Sequence, residues 1–421
     1  MNEYFNEEHL AHRQRVRDFA LERIVPVARD LDHSSEFLWD NARAMGEMGF
    51  LGVPVPKEYG GMGLDYTSYI LTVHELARYC ASHSITVSAH TTLGLGPILS
   101  FGDEDQKRKY LPHLAAGEVL GGFGLTEPDA GSDAGGTRTR AVRQEDGSYI
   151  INGAKIFITH AGVGEVFTVT AVTDPDAGAK GITSFIVTKP TVDPEAQARV
   201  GMGTHGALEY IDGVQAGKKE DKMGWRASDT RELLLEDAHV PAGNRLGEEG
   251  QGFINFMKTL DAGRIGIAGL SLGLAEGAYE SALRYAASTP DSGAGGKGRL
   301  WDRQQTQFGL AEMATEIQAG YHLTYHAARL KDRGEPFSKE AAMAKLFCSE
   351  LAMDATLKAI QLMGPDGYSD AYPVERLARD AKVCEIGEGT SEVQKLVIGR
   401  HVLREMEAAD RVSAAVATAG V

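Results

Sequence analysis

The stretch SYIINGAKIFITH, residues 148–160, decides the fold, because it is dense in β-branched and aromatic residues and ends against polar punctuation. VFTVTAVT (166–173) and ITSFIVTKP (182–190) repeat that texture at short intervals, bounded by Gly, Asp and Pro. Such spacing predicts antiparallel strands. The β-rich section opens near Val119 and closes near Val240. Within it, PTVDPEAQARVGMGTHGALEYIDGVQAGKK (190–219) is long for a connection and reads as a surface excursion.

Outward from this section the period changes to that of helices. Between Glu7 and Arg29, Leu10, Val16, Phe19, Ala20, Ile24 and Val27 recur mostly three or four apart, which predicts one amphipathic helix. Residues 41–48, 66–79 and 103–114 have the same spacing, and PVPKEYGGMG (54–63) breaks the first two of these. After Gln251, four long helical stretches follow at 253–287, 304–333, 338–363 and 392–409. STPDSGAGGKGR (288–299) reads as a flexible linker between two of them. The expected fold class is α+β, with an N-terminal all-α domain (1–118), a middle antiparallel β-domain (119–242) and a C-terminal four-helix bundle (243–421).

A chain of 421 residues has ample material for a core, and 43 basic against 59 acidic residues give a formal charge of -16. That balance speaks against a nucleic-acid partner. Cys80, Cys348 and Cys384 are far apart and odd in number, so a reducing, cytoplasmic setting is expected. The charged N-terminus lacks the apolar core of a signal peptide, and the most apolar run, 265–275, is about half the length that spans a bilayer. No integral membrane segment is expected.

Two motif matches fail in context. GMGTHG (201–206) satisfies G-x-G-x-x-G, but no strand feeds it and no helix follows, so a dinucleotide site is not expected. GLSLG (269–273) satisfies G-x-S-x-G, yet Ser271 falls within a helical pattern where small residues allow close packing. His322 and His326 lie one turn apart, and His9 and His12 nearly so, without the Glu or Cys that a metal site would need; no metal is expected.

The chemistry gathers elsewhere. GFGLTEPDAGSD (122–133) offers hydroxyls at Thr126 and Ser132 among glycines, and Phe157 shares a strand face with Thr159, where a flat ring could rest. Near the end, EIGEGTSEVQ (385–394) sets Glu388 between two glycines. PVPKEYGGMG, LTEPDAGSD, NGAKIFIT, LDAGRIGIA and PVERLARDAKVCEIGEGTSEVQ occur in the order found in the acyl-CoA dehydrogenase family, which the chain resembles over nearly its whole length, with wording closest to short-chain members.

That resemblance implies FAD and an acyl-CoA substrate, with trans-2-enoyl-CoA as product. It implies that the segment from Phe123 through Leu125, Thr126 and Gly131 to Ser132 holds one side of the flavin, with Ser132 also touching the thioester. Phe157, Ile158 and Thr159 would line the other side, and Thr390, Ser391 and Glu392 the adenosine part. Gln304 would meet the cofactor of a neighbouring subunit, with Gln361 and Gly364 near its pyrophosphate. Asp261, Arg264 and Gly389 would contact substrate, and Glu388 would be the base. Some relatives carry the base just before the Arg of LDAGR, where this chain has Gly263. A homotetramer passing electrons to an electron-transfer flavoprotein is implied.

Three departures stand out. Gly387 replaces a common aromatic, Pro365 interrupts a usual double glycine, and the Arg-x-Phe-Gly segment before Gln304 is missing, with Arg299 or Lys297 as substitute cations. They keep open a weakly FAD-binding structural partner, beside an acyl-CoA oxidase or enoyl-CoA reductase on the same scaffold.

Overall fold

The computed structural model describes residues 4–204, 206–291 and 298–419. Lys297 lies outside the described residues.

The N-terminal section is helical throughout. The single helix expected over 7–29 is instead α1 (Glu7–Phe19), a π-helical turn at Ala20–Ile24 and α2 (Ala28–Ser34). The π-helical turn inserts an extra residue into the helical repeat, so apolar periodicity alone did not register it. α3 (Trp39–Glu47) and α4 (Tyr66–Ala77) follow, the latter capped by Asp65 accepting from Ser68 N. α5 (Ala81–Ser88), a π-helical run at Ala89–Leu95 and α6 (Gly96–Phe101) carry no amphipathic stripe, and α5 is buried on every side. α7 (Glu104–Ala115) ends the section behind an Asp103 capping box.

The middle section is one eight-stranded sheet, comprising β1 (Gly121–Gly124), β2 (Arg140–Arg143), β3 (Tyr149–Thr159), β4 (Val166–Val172), β5 (Ile182–Thr188), β6 (Val214–Lys219), β7 (Thr230–Val240) and β8 (Arg245–Leu246). Its order is β6-β7-β3-β2-β4-β5-β8, with β1 also paired to β4. Most pairings are antiparallel, but β1 and the end of β2 run parallel to β4. The long excursion contains α8 (Pro194–Arg199), and its last residues form the edge strand β6. The glycines at 201, 203 and 206 therefore follow a short helix, not a strand.

The C-terminal section is a bundle of α9 (Gly252–Ser288), α10 (Gln304–Asp332), α11 (Ser338–Met363) and, after the short α12 (Pro365–Tyr368) and α13 (Val374–Lys382), α14 (Ser391–Ala419). Contacts of Gly320 with Cys348, Leu351 and Leu272 set α9, α10 and α11 side by side, alternating in direction. The first and third sections share one apolar core, in which Tyr69, Ile70 and Val73 of α4 pack with Ile265, Ala268 and Leu272 of α9 and Tyr325 of α10. The sheet keeps a separate core around Tyr149, Phe167, Phe185 and Leu233. The site described below lies where these parts meet.

Candidate active site

Glu388 sits in the turn between α13 and α14. The amides of Ile386 and Gly387 both donate to the Val383 carbonyl, at 3.0 and 2.8 Å, and close the chain into a tight loop. Glu388 (φ 53°) and Gly389 (φ 92°) then both adopt left-handed backbone. Glycine takes that conformation freely, whereas for glutamate it costs about 1 kcal/mol or more and must be held in place. The Gly389 carbonyl accepts from Lys345 Nζ of α11 at 2.8 Å and from Gln394 Nε2 at 2.7 Å. Thr390 Oγ1 accepts from Val393 N at 3.3 Å and starts α14.

The carboxyl group so aimed has neither oxygen open to water and no hydrogen-bond partner among the described residues. Burial pushes it up, Lys345 and Arg264 pull it down, and the balance leaves it at about 7. It rests against α9 at Gly263, where an added Cβ would overlap Oε2 and would also meet Leu93 Cδ2 at 3.5 Å. A side chain at 263 and the carboxylate of 388 thus compete for one space. Beside Glu388, a Cβ at Gly387 would meet only the Val383 carbonyl, at 3.5 Å, so the position left without an aromatic is open.

Tyr66 and Tyr69 of α4 face the same carboxylate, and burial pushes both phenols up. Tyr66 OH donates to the Ala262 carbonyl at 2.7 Å and Tyr69 OH to Ser88 Oγ at 3.2 Å. Both hydroxyls are therefore committed to protein partners. Arg264 pairs with Asp261 one turn back on α9, leaving its own Nε without a partner.

On the sheet side, the loop after β1 is tied down by Glu127. This carboxylate accepts from Thr137 Oγ1, from the amides of Arg138 and Thr139 at 2.6 and 3.1 Å, and from Lys155 Nζ of β3 at 2.6 Å. Burial pushes Glu127 up, but Lys155 and these donors outweigh it and hold it at about 2. The Thr126 carbonyl accepts from Ile156 N at 2.8 Å, so the loop and β3 are joined beside the candidate flavin residues. Phe123 and Leu125 are buried, with Phe123 stacked on Phe256 of α9 at 4.0 Å, while Gly131 and Ser132 lie exposed on the loop. Phe256 precedes Gly263 by about 10 Å along α9, which links the sheet side to Glu388.

β3 carries register shifts between Ile151 and Gly153 and between Lys155 and Ile158. At the second, Phe157 takes φ 56° and is 62% exposed, Ile158 turns into the sheet core, and Thr159 is half-buried. The shared strand face expected of Phe157 and Thr159 from simple alternation is interrupted here by the bulge.

The expected residues fall into two groups within one chain. Asp261 and Arg264 lie by Glu388 and the turn at Gly389, Phe123 and Leu125 pack on Phe256 further along α9, and the strand carrying Phe157 to Thr159 is joined to the Thr126 loop through Ile156. Gln304, Gln361 and Gly364 lie at the opposite end of the bundle, where Tyr285 near the end of α9 donates to Asp366 of α12 at 2.8 Å. That end is about 30 Å along α9 from Gly263. Pro365 opens α12 at a position whose amide needs no helical partner. Arg299 is at that end too, with Nη1 donating to the Ala287 carbonyl at 2.8 Å.

Lys345, Tyr66, Tyr69 and Gln394 were not singled out from the sequence. Lys345 did carry a signal, a lysine inside the small apolar run AAMAKLFC, whereas the tyrosines resemble ordinary core residues. Among the described residues no group of His, Cys, Asp and Glu side chains could hold a metal ion, and no helix is long and apolar enough to cross a membrane.

A carboxylate with this burial and proton affinity, set where sheet and helices meet, is suited to taking up a weakly acidic proton. The chain belongs to the acyl-CoA dehydrogenase family. Family models match at residues 6–118 (acyl-CoA dehydrogenase, N-terminal domain), 122–238 (middle domain) and 250–403 (C-terminal domain). A short-chain specific acyl-CoA dehydrogenase of Clostridium acetobutylicum is 45% identical over 393 residues, covering 93% of this chain and 97% of that one. The solved butyryl-CoA dehydrogenase of Megasphaera elsdenii is 41% identical with TM-score 0.87, covering 95% of this chain and 99% of that one. A chain in the structure described as the electron transferring flavoprotein of Acidaminococcus fermentans is 43% identical with TM-score 0.88, covering 96% and 100%.

Proposed function

We propose that the protein is an FAD-dependent acyl-CoA dehydrogenase in which Glu388 is the base. The observation that carries this is the Glu388 carboxylate, shut off from water, without a hydrogen-bond partner and held at about 7. A carboxylate in that state is a stronger base than one in water and is ionised at neutral pH about half the time. It takes the proton from the carbon next to the thioester carbonyl onto a carboxylate oxygen. The electron pair left behind forms the new double bond as hydride leaves the next carbon. When bound, FAD supplies the acceptor for that hydride.

The residues fit such a cofactor. Phe157 is exposed two residues before Thr159, and Ser391 Oγ and Gln394 Oε1 are buried with no hydrogen-bond partner among the described residues at the start of α14. Phe123, Leu125, Thr126, Gly131 and Ser132 would hold one side of the isoalloxazine, with Phe157, Ile158 and Thr159 on the other. Thr390, Ser391 and Glu392 would hold the adenosine part, while Ser132, Asp261, Arg264 and Gly389 would position the thioester. The amide of Glu388 polarises the thioester carbonyl and so lowers the cost of removing the α-proton.

A homotetramer belongs to the same reading. Gln304, Gln361 and Gly364 are remote from the Glu388 of their own chain, as expected if they serve the cofactor of another copy in a homotetramer. Leu396, Leu403 and Met406 of α14, each more than half exposed, follow helical spacing and would be covered by such a copy. Electron-transfer flavoprotein is the electron acceptor in this reading, supported by the similar chain in the Acidaminococcus fermentans structure. A cytoplasmic setting accords with three free, buried cysteines.

The test is the visible spectrum of the purified protein, recorded anaerobically before and after adding straight, branched and ring-bearing acyl-CoA thioesters. Bleaching of a yellow protein by one thioester is expected. A protein that stays colourless and inert with added FAD would sink the assignment and leave the structural partner. Rapid reoxidation of the bleached protein by air would point to the oxidase instead.

A further inference from the structure

Lys345 lies on the buried stripe of α11 formed with Ala341, Cys348 and Ala352, and it is fully buried. An ammonium is placed there at a cost in solvation that an alkyl side chain would not bear. Its Nζ is spent on one acceptor, the Gly389 carbonyl at 2.8 Å, which also receives Gln394 Nε2 at 2.7 Å. Gln394 Nε2 lies 3.4 Å from the Glu388 carbonyl as well. Two buried donors from two helices thus converge on the left-handed turn at 388 and 389.

We infer that Lys345 is the positioning residue of the base: together with Gln394 it clamps the Gly389 carbonyl, which fixes the turn that aims Glu388, and its charge keeps that carboxylate ionisable. This rests on Glu388 being the base. Facing the carboxylate are Lys345 from α11, Arg264 from α9 and the neutral Tyr66 and Tyr69 from α4. Arg264 is already paired with Asp261. Glu385 and Cys384 from the preceding turn and Glu392 from α14 act on Lys345 or are acted on by it. Lys345 is therefore the one cation facing Glu388, among the described residues, whose charge is not matched by an adjacent carboxylate bonded to it.

The experiment is a pH titration of the protonated carboxyl band by difference infrared spectroscopy, with Glu388→Gln identifying the band. It reads the base whether or not the protein turns over a thioester. Lys345→Met should raise the midpoint by about one pH unit, a tenfold change in proton affinity. Lys345→Gln, which keeps a donor but not the charge, should raise it similarly and covers the case in which the Met variant does not fold. Gln394→Leu, which removes only the neutral donor, should leave it in place. With a bleaching thioester in hand, both Lys345 variants should lose roughly tenfold or more in kcat with little change in KM, and Lys345→Arg should recover most of it. Midpoints of the Lys345 variants equal to wild type overturn the inference. Absence of bleaching together with a shifted midpoint would instead sink the assigned reaction and leave the clamp standing.

Discussion

At the scale of single residues, the Glu388 carboxylate is held in a state that costs stability. Glu388 has a folded value near 7 against an ordinary 4.5, so the unfolded chain ionises more readily. The associated stability is present below about pH 4.5 and is lost as pH rises through 7. Glu388→Gln should therefore be more stable than wild type at pH 8 by roughly 2–3 kcal/mol, with the gain shrinking towards pH 5. Thermal melts at the two pH values check this, and the same variant should keep its flavin yet show no bleaching by thioester. In the wild type, kcat/KM should fall with decreasing pH below about 7 as the base protonates. Gly263→Ala separates packing from chemistry. Alanine favours the helix, but its Cβ enters the space of Glu388 Oε2, and the side chain must move. The melting temperature should change little while kcat falls about a hundredfold, since an ångström of misplacement is enough.

At the scale of elements, the loop after β1 depends on a buried ion pair. Glu127 is 5% exposed and Lys155 fully buried, so removing the cation strands a carboxylate among amides and hydroxyls. Lys155→Met should cost about 3–5 kcal/mol at neutral pH, read from denaturant unfolding. Because Glu127 is held at about 2, below its ordinary 4.5, its contribution is present above about pH 4.5 and lost as pH falls through 2. The acid unfolding midpoint should accordingly move up in the variant. α1, α10 and α11 were readable from the spacing of their apolar residues, and β4, buried along nearly its whole length, from its β-branched texture. α5 and the π-helical run after it were not, because SHSITVSAHTT (82–92) buries serines, threonines and histidines among its apolar residues and so shows no apolar stripe. The β3 bulges were hidden for a different reason: the shifts at Gly153 and Phe157 are set by pairing with β7, a strand some 80 residues later.

At the scale of the whole molecule, α14 presents Leu396, Leu403 and Met406 to solvent in a single chain. If a second copy covers this face in the proposed homotetramer, Leu403→Asp should give a smaller mass by light scattering and, with Gln304, Gln361 and Gly364 serving that copy, weaker flavin retention. Retained assembly would remove α14 from the interface. The division of the chain into three parts was legible, but the joining of the first and third in one core was not. Tyr69 and Ile265 are almost 200 residues apart, and nothing local records their contact.

The sequence by itself determined the order of helices, sheet and helices, because hydrophobic period and turn chemistry are local properties. It also singled out Glu388, because an acid between two glycines is a local anomaly carried in a long recognisable motif. Only the tertiary structure decided what state that acid is in. The missing side chain at Gly263, the phenols of Tyr66 and Tyr69 and the ammonium of Lys345 come from three different helices, α9, α4 and α11. Desolvation and charge act through space over a few ångströms, so the proton affinity of the base belongs to the packed molecule rather than to any segment of its chain.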